Sequence, residues 1–209
     1  LQLCSLAYMI LLFCVFFYKE RVKSIETSLY KATMISNTCA LVLDIFSVWT
    51  ISHMNQIPIT NMIITKLYLV SILVWMFSLS KYICINSIKD NYNDKKNVLL
   101  KRYIYSCILV LIFCTIAIFS LPLHYVCEKN IIYSYGPATD FVYTASSIFI
   151  FFWVLRIILR FKYIKKKKCV PIFSYIFLGA ISALVQNSHP EMLIVSSVQT
   201  FVTFIIYFT

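Results

Sequence analysis

Glycine and charged side chains are scarce in this chain of 209 residues, which contains two glycines and only 13% charged residues. Average soluble domains are about 25% charged, so the composition argues against a soluble protein. Two glycines cannot build a phosphate-cradling loop, and the patterns G-x-S-x-G, H-E-x-x-H and G-x-x-x-x-G-K are all absent. The sequence therefore contains no catalytic motif, which leaves open whether the protein is an enzyme.

Metal-binding and disulfide patterns are also missing, although the chain has eight cysteines. There is no C-x-x-C pair, and Cys14, Cys39, Cys107 and Cys114 fall inside apolar segments, where cysteine behaves as a small hydrophobic residue. The three histidines, His53, His124 and His189, share no ligand spacing. We predict no metal site and no cofactor.

Hydrophobic residues make up 61% of the chain and are arranged in seven apolar segments. Each has, or comes within a few residues of, the roughly 20 apolar residues that a helix needs to cross a bilayer. The predicted fold is all-α: a single domain over residues 1–209, built as a bundle of seven transmembrane helices. Its tryptophans, Trp49, Trp75 and Trp153, are expected chiefly in lipid-facing or interfacial positions. The segments are roughly 2–18, 32–52, 59–84, 103–121, 137–159, 170–187 and 191–209.

Positive charge lies almost entirely on alternate connections between these segments. Of the 19 Lys and Arg, 17 lie at or just beyond the segment ends that share one side, and the exceptions are Lys66 and Lys129. Cytoplasmic loops carry an excess of Lys and Arg, so we predict an outside N-terminus and a cytoplasmic C-terminus. We attribute the net charge of +11 to contact with anionic lipid headgroups, because no separate soluble domain is present to bind nucleic acid.

Two charged residues lie more than one helical turn from the ends of their predicted spans, Asp44 on the second and Lys66 on the third. Each is about eight residues from the outer end of its span, so both lie about 10–12 Å below the outer surface at 1.5 Å per residue. We predict an intramembrane ion pair, either structural or responsive to a ligand. Removing one partner should then cost more stability than removing both, typically by about 3–5 kcal/mol.

Polar residues on three spans form a candidate cavity open to the outside. Interhelical hydrogen bonding alone also explains the same residues, so both interpretations stay open. The residues are Asp140, Thr144 and Ser147 at i, i+4 and i+7 on the fifth span, Gln186 and Asn187 at the end of the sixth, and Gln199 beside Ser196, Thr200 and Thr203 on the seventh.

Most of the chain resembles the membrane sensor regions at the N-termini of bacterial histidine kinases and related signalling proteins. The resembling features are the first inner loop from Phe17 to Thr27, Asp44 on the next span, Tyr135-Gly136-Pro137 before the fifth span, and the amphiphilic last span. Abundant Ile, Lys, Asn, Tyr and Phe also favour a bacterial source.

The resemblance implies a function in two-component signal transduction at the bacterial cytoplasmic membrane. An unidentified stimulus, at the outer side or within the bundle, would shift the seventh helix and bias a cytoplasmic histidine kinase or similar output domain. The chain would then be a fragment whose output domain follows residue 209, and the full-length protein would be a homodimer. A transporter or permease subunit and a membrane enzyme are the alternatives.

The topology prediction can be tested on variants that keep Cys127 or Cys169 as the single cysteine. An impermeant thiol reagent should modify Cys127 in intact cells and leave Cys169 untouched, because the positive-inside rule puts them on opposite sides of the membrane. Labelling of Cys169 from outside would reverse the orientation and with it the direction of signalling.

Overall fold

The structure, a computed structural model, describes residues 1–18, 25–86, 94–128, 131–160, 166–188 and 194–208. Within these ranges the chain forms seven α-helices and one two-stranded hairpin, which confirms the all-α prediction. The helices are α1 Gln2–Tyr18, α2 Ile25–Ser52, α3 Pro58–Asn86, α4 Asp94–Ser120, α5 Pro137–Arg160, α6 Lys166–Ser188 and α7 Val195–Phe208, and the strands are β1 His124–Glu128 and β2 Ile131–Tyr135.

Prolines mark several of the helix boundaries. Pro58 and Pro137 are the first residues of α3 and α5, where a missing N–H leaves no hydrogen bond unmade, and Pro122 follows the end of α4. The helices also continue past the predicted apolar segments. Helix α2 begins at Ile25 rather than residue 32, and α4 at Asp94 rather than residue 103, because polar residues extend a helix whose apolar part is already packed.

Three helices in the described ranges are long and apolar enough to cross a membrane. They are Glu26–Ser52, Pro58–Ile83 and Pro137–Leu155. Shorter apolar helical stretches occur at Gln2–Tyr18, Ile104–Ser120, Ile172–Ser182 and Val195–Phe208. Length and composition therefore fit a membrane protein, with three of the seven helices meeting the requirement over their described length.

Helix α3 lies between two clusters of buried side chains. Its second half, around Trp75 and Met76, packs with residues of α1, α2, α5, α6 and α7. Its first half, around Leu69 and Leu73, packs with residues of α4 and α5, such as Ile118. Because both clusters meet along α3, it is the central helix of the bundle.

The connection between α4 and α5 is a β-hairpin, which the sequence analysis treated as a loop. β1 and β2 are antiparallel, with His124 opposite Tyr135 and Glu128 opposite Ile131. The sequence does carry the signal: two runs rich in Val, Ile and Tyr flank two intervening residues, as in many hairpins. This hairpin signal is easily missed because it lies in a short connection between two predicted spans.

Gly136 joins this hairpin to α5 in a conformation that other residues rarely adopt. Its φ is +119°, and a Cβ added there would lie 2.9 Å from Cδ2 of His124. The other glycine, Gly179 in α6, has no positive φ and nothing within 4 Å of an added Cβ. The two glycines therefore have different roles, although composition alone cannot distinguish them.

Gly136→Ala should destabilise the protein by about 1–3 kcal/mol, because alanine at this φ is strained and its methyl group meets the His124 ring. Gly179→Ala is the matched control and should be neutral or stabilising by about 0.5–1 kcal/mol, since alanine is the better helix former. Thermal unfolding in detergent measures both. Equal effects of the two substitutions would contradict the role given to Gly136.

Candidate functional site

Helix α7 turns its polar side into the bundle. Ser196, Gln199, Thr200 and Thr203 are all buried, at the i, i+3, i+4 and i+7 positions that share one helix face. Phe201, between them in sequence, is exposed. The short helix is therefore polar toward the protein and apolar toward its surroundings.

Helix α2 contributes three polar side chains to this face, each seven residues from the next and so on one side of α2. The hydrogen bonds run from Ser196 Oγ to Asp44 Oδ2, from Asn37 Nδ2 to Thr200 Oγ1 at 3.1 Å, and from Tyr30 OH to the Thr203 carbonyl oxygen at 3.3 Å. They join α7 to α2 along the buried part of its length.

The buried threonines of α7 each use both capacities of the hydroxyl group. Thr200 and Thr203 donate to the carbonyl oxygens of Ser196 and Gln199, at 2.9 and 2.8 Å. Only their lone pairs remain for a neighbouring helix, which must supply an N–H donor. Trp75 Nε1 is that donor for Thr203, at 3.1 Å.

Ser80 on α3 repeats this pattern. It donates to the Met76 carbonyl oxygen at 2.9 Å and accepts from Trp153 Nε1 at 2.7 Å. Trp75 and Trp153 are therefore buried hydrogen-bond donors, not the lipid-facing residues that the sequence analysis expected, whereas Trp49 is exposed as expected.

Helix α1 closes the other side of α7. Ser5 Oγ donates to Ser197 Oγ at 2.9 Å, and Asn37 Nδ2 also contacts Met9 Sδ at 3.3 Å. The side chain of Gln2 lies close to Asp44. Helix α7 is thus held by polar contacts from α1, α2 and α3 together.

Several buried polar atoms at this interface have no hydrogen-bond partner among the described residues. They are Asp44 Oδ1, Asn37 Oδ1 and both Oε1 and Nε2 of Gln199. Asp44, Asn37 and Gln199 are each 0% exposed. Unsatisfied buried polar groups are rare in proteins and commonly mark a site that binds water, an ion or a ligand.

Lys66 lies elsewhere, at the end of α4. Its Nζ donates to the carbonyl oxygens of Phe119 and Leu121, at 2.8 and 2.9 Å. Pro122 ends α4 at this point, so these carbonyl groups have lost their helical partners. A positive charge at a helix C-terminus also interacts favourably with the helix dipole, so Lys66 caps α4.

The structure therefore gives Asp44 and Lys66 different partners, and no ion pair joins these two described residues. The reason is rotation about the helix axes. Thr50 and Thr65 both contact Asn61 and mark where α2 faces α3. Asp44 is about 120° around α2 from Thr50, and Lys66 about 100° around α3 from Thr65. Asp44 and Lys66 lie at a similar level along their helices, but they face different directions around the helix axes.

The polar stripe on α5 does not meet the polar face of α7. Asp140, Thr144 and Ser147 are exposed, and the two hydroxyl groups donate to the carbonyl oxygens of Asp140 and Tyr143, both at 2.9 Å. Gln199 is 0% exposed instead. The candidate cavity therefore separates into an exposed stripe and a buried interface.

The side chains of Gln186 and Asn187, at the end of α6, lie outside the described part of the structure. The prediction that they belong to the cavity stays a prediction.

Beside the α5 stripe lies a cleft of about 720 Å³ between α4 and α5. Phe113, Phe141, Ile148 and Phe152 are among its lining residues, and Thr144 contributes one of the few polar groups. An apolar cleft of this kind is not the polar cavity that the sequence analysis considered.

The hairpin contacts α5 and α2 through β2. Tyr125 on β1 lies beside Thr65, and burial raises the pKa of its phenol. Among the residues that the structure describes, no group of three or more His, Cys, Asp or Glu side chains is close enough to hold a metal ion. His53 and His124 are both exposed.

No protein family matches the chain, and no curated protein or solved structure matches it. The resemblance to histidine-kinase sensor regions therefore stays a prediction, and the site must be interpreted from its own chemistry.

The separate partners of Asp44 and Lys66 change the expected outcome of a double-mutant cycle. Asp44→Asn weakens the bond to α7, and Lys66→Met leaves two carbonyl groups without a donor, so each should lower the free energy of unfolding by about 1–3 kcal/mol. The two losses should add to within about 0.5 kcal/mol, because the residues share no partner. A double variant that is more stable than either single variant would instead support an ion pair between Asp44 and Lys66 in the wild-type protein.

Proposed function

We propose that the chain is a multi-pass membrane protein whose seven helices all cross the bilayer. The observation that carries this proposal is the distribution of polarity in the described residues. Asp44, Asn61 and Gln199 are buried, whereas Leu109 and Phe113 on α4 are each 67% exposed. Soluble proteins rarely leave large contiguous apolar surfaces uncovered, and a bilayer would cover these.

The charge pattern supports the predicted orientation. Lys31 is near the start of α2, Lys81 near the end of α3, and Arg156 near the end of α5. Contacts at the opposite ends pair the starts of α1 and α7, through Ser5 and Ser197. An outside N-terminus at a cell membrane, with basic residues against anionic cytoplasmic headgroups, accounts for both observations.

We further propose that the bundle receives a signal and passes it through α7 to an output domain, of the histidine-kinase type that the resemblance implies. Support comes from the way α7 is held. Its contacts with α1, α2 and α3 include hydrogen bonds between side chains, and unsatisfied polar atoms lie among them. A stimulus that binds these atoms would favour one position of α7 over another.

A transporter receives less support from the same helices. Transporters commonly bind their substrate where spanning helices are broken near the middle of the membrane. Here α2 and α3 are continuous over 28 and 29 residues. The candidate site therefore lies between unbroken helices, which favours a small shift of α7 over an alternating pathway for a solute.

A fusion tests the signalling role. The chain is joined after α7 to the kinase domain of a host sensor through linkers that differ by single residues, so that every helical phase is sampled. Thr200→Val and Thr203→Val remove the acceptors for Asn37 and Trp75 and should change the basal output severalfold, measured by a reporter gene and normalised to the amount in the membrane.

Thr144→Val is the matched control, because the Thr144 hydroxyl makes the same bond to its own helix, to the Asp140 carbonyl, but lies exposed on α5. It should leave the output unchanged. If all three variants gave the same output as the unsubstituted fusion, in every linker that gives a working fusion, signalling through α7 would be refuted.

A further inference from the structure

We propose that Asp44, Ser196 and Gln199 form a binding site for a small alkali-metal cation between helices α2 and α7. The proposal does not rest on the signalling role, since a cation can bind here whether or not α7 moves. It rests on the direction of three side chains, on the charge of the site and on its unpartnered oxygen atoms.

Helix geometry predicts that the side chains of Asp44 and Gln199 lean toward each other along the bundle. Side chains on a helix lean toward its N-terminus. Helices α2 and α7 run in opposite directions, with Ser196 near the start of α7 against Asp44 in the later part of α2. Gln199 is about one turn further along α7. Asp44 therefore leans toward the level of Gln199, and Gln199 leans toward the level of Asp44.

The charge of the site calls for a single positive partner. Asp44 is 0% exposed, and the groups beside it, Ser196, Gln2 and Tyr68, carry no positive charge. The buried cation Lys66 is bound to the end of α4. A buried carboxylate without a cation is costly, and a monovalent ion neutralises one carboxylate without leaving surplus charge.

The chemistry of the free atoms fits a hard cation, which prefers oxygen ligands. Asp44 Oδ1 and Gln199 Oε1 both lack hydrogen-bond partners within the described part of the chain. Oxygen atoms can coordinate a cation from several directions. The carboxylate of Asp44, the hydroxyl of Ser196 and the amide oxygen of Gln199 can therefore all be ligands.

Thermal unfolding of the purified protein in detergent tests the site with Na⁺ as the probe. The wild-type protein is compared in NaCl and in choline chloride at equal ionic strength and fixed pH. Because a ligand stabilises the state that binds it, Na⁺ should raise Tm by several degrees, with a saturable dependence on concentration. Asp44→Asn should abolish the Na⁺-specific rise.

Asp140→Asn is the matched control, since the same change at an exposed residue of α5 should leave the Na⁺ response as in the wild type. Ser196→Ala and Gln199→Leu each remove one neutral ligand and should raise the half-saturating NaCl concentration roughly tenfold. These two variants decide the matter if Asp44→Asn does not fold.

Three outcomes would overturn the proposal: equal Tm of the wild type in the two salts, an unchanged Na⁺ response in Asp44→Asn, or an unchanged half-saturating concentration in both neutral-ligand variants. A wild-type Tm that follows pH and ignores Na⁺ would show that Asp44 binds a proton instead. None of these results bears on the fusion experiment, so the two proposals fail separately.

Discussion

A polar side chain buried in an apolar bundle must find a partner on a neighbouring helix, and the position of α7 depends on this constraint. The threonine hydroxyls of α7 donate to their own helix, so toward neighbouring helices they act only as acceptors. Asn37 on α2 and Trp75 on α3 are their N–H donors, and they lie on two different helices. Helix α7 therefore has one place in the bundle where both acceptors are matched.

The same constraint gives the two buried charged residues, Lys66 and Asp44, different partners. Lys66 satisfies the carbonyl groups at the end of α4, next to the hairpin and the start of α5, where Ala138 N donates to the Pro122 carbonyl oxygen at 3.4 Å. Asp44 acts on the other side of α2, against α7. Lys66 holds the first half of α3 to the end of α4, and Asp44 lies at the interface between α2 and α7.

Helix number, the helix starts at Pro58 and Pro137 and the polar face of α7 could be predicted from the sequence, because each follows from a pattern within one segment. Pro171 was expected to open the sixth helix but lies inside α6, which begins at Lys166.

The partner of Asp44 could not be predicted from the sequence. Sequence spacing gives the depth of a residue in a span, but the side it faces depends on how the whole helix is rotated against its neighbours. The burial of Trp75 was missed for a related reason: its partner Thr203 is 128 residues away.

The hairpin was predictable in principle, since its two strands carry the residue types of a hairpin. Gly136 shows what a single sequence hides, because two glycines look alike until the backbone angle of one is known.

The polar face of α7 repeats along the helix, and this repetition has a mechanical consequence. Thr200 and Thr203 are both hydroxyl acceptors and lie close to one turn apart. If α7 moved by about 4.5 Å, the rise of three residues, toward its C-terminal end, Thr200 would arrive at the level where Thr203 now meets Trp75. Positions between the two leave the indole N–H without an acceptor. If α7 slides along its axis, it should therefore favour discrete positions that differ by the spacing of its hydroxyl acceptors, close to one helical turn.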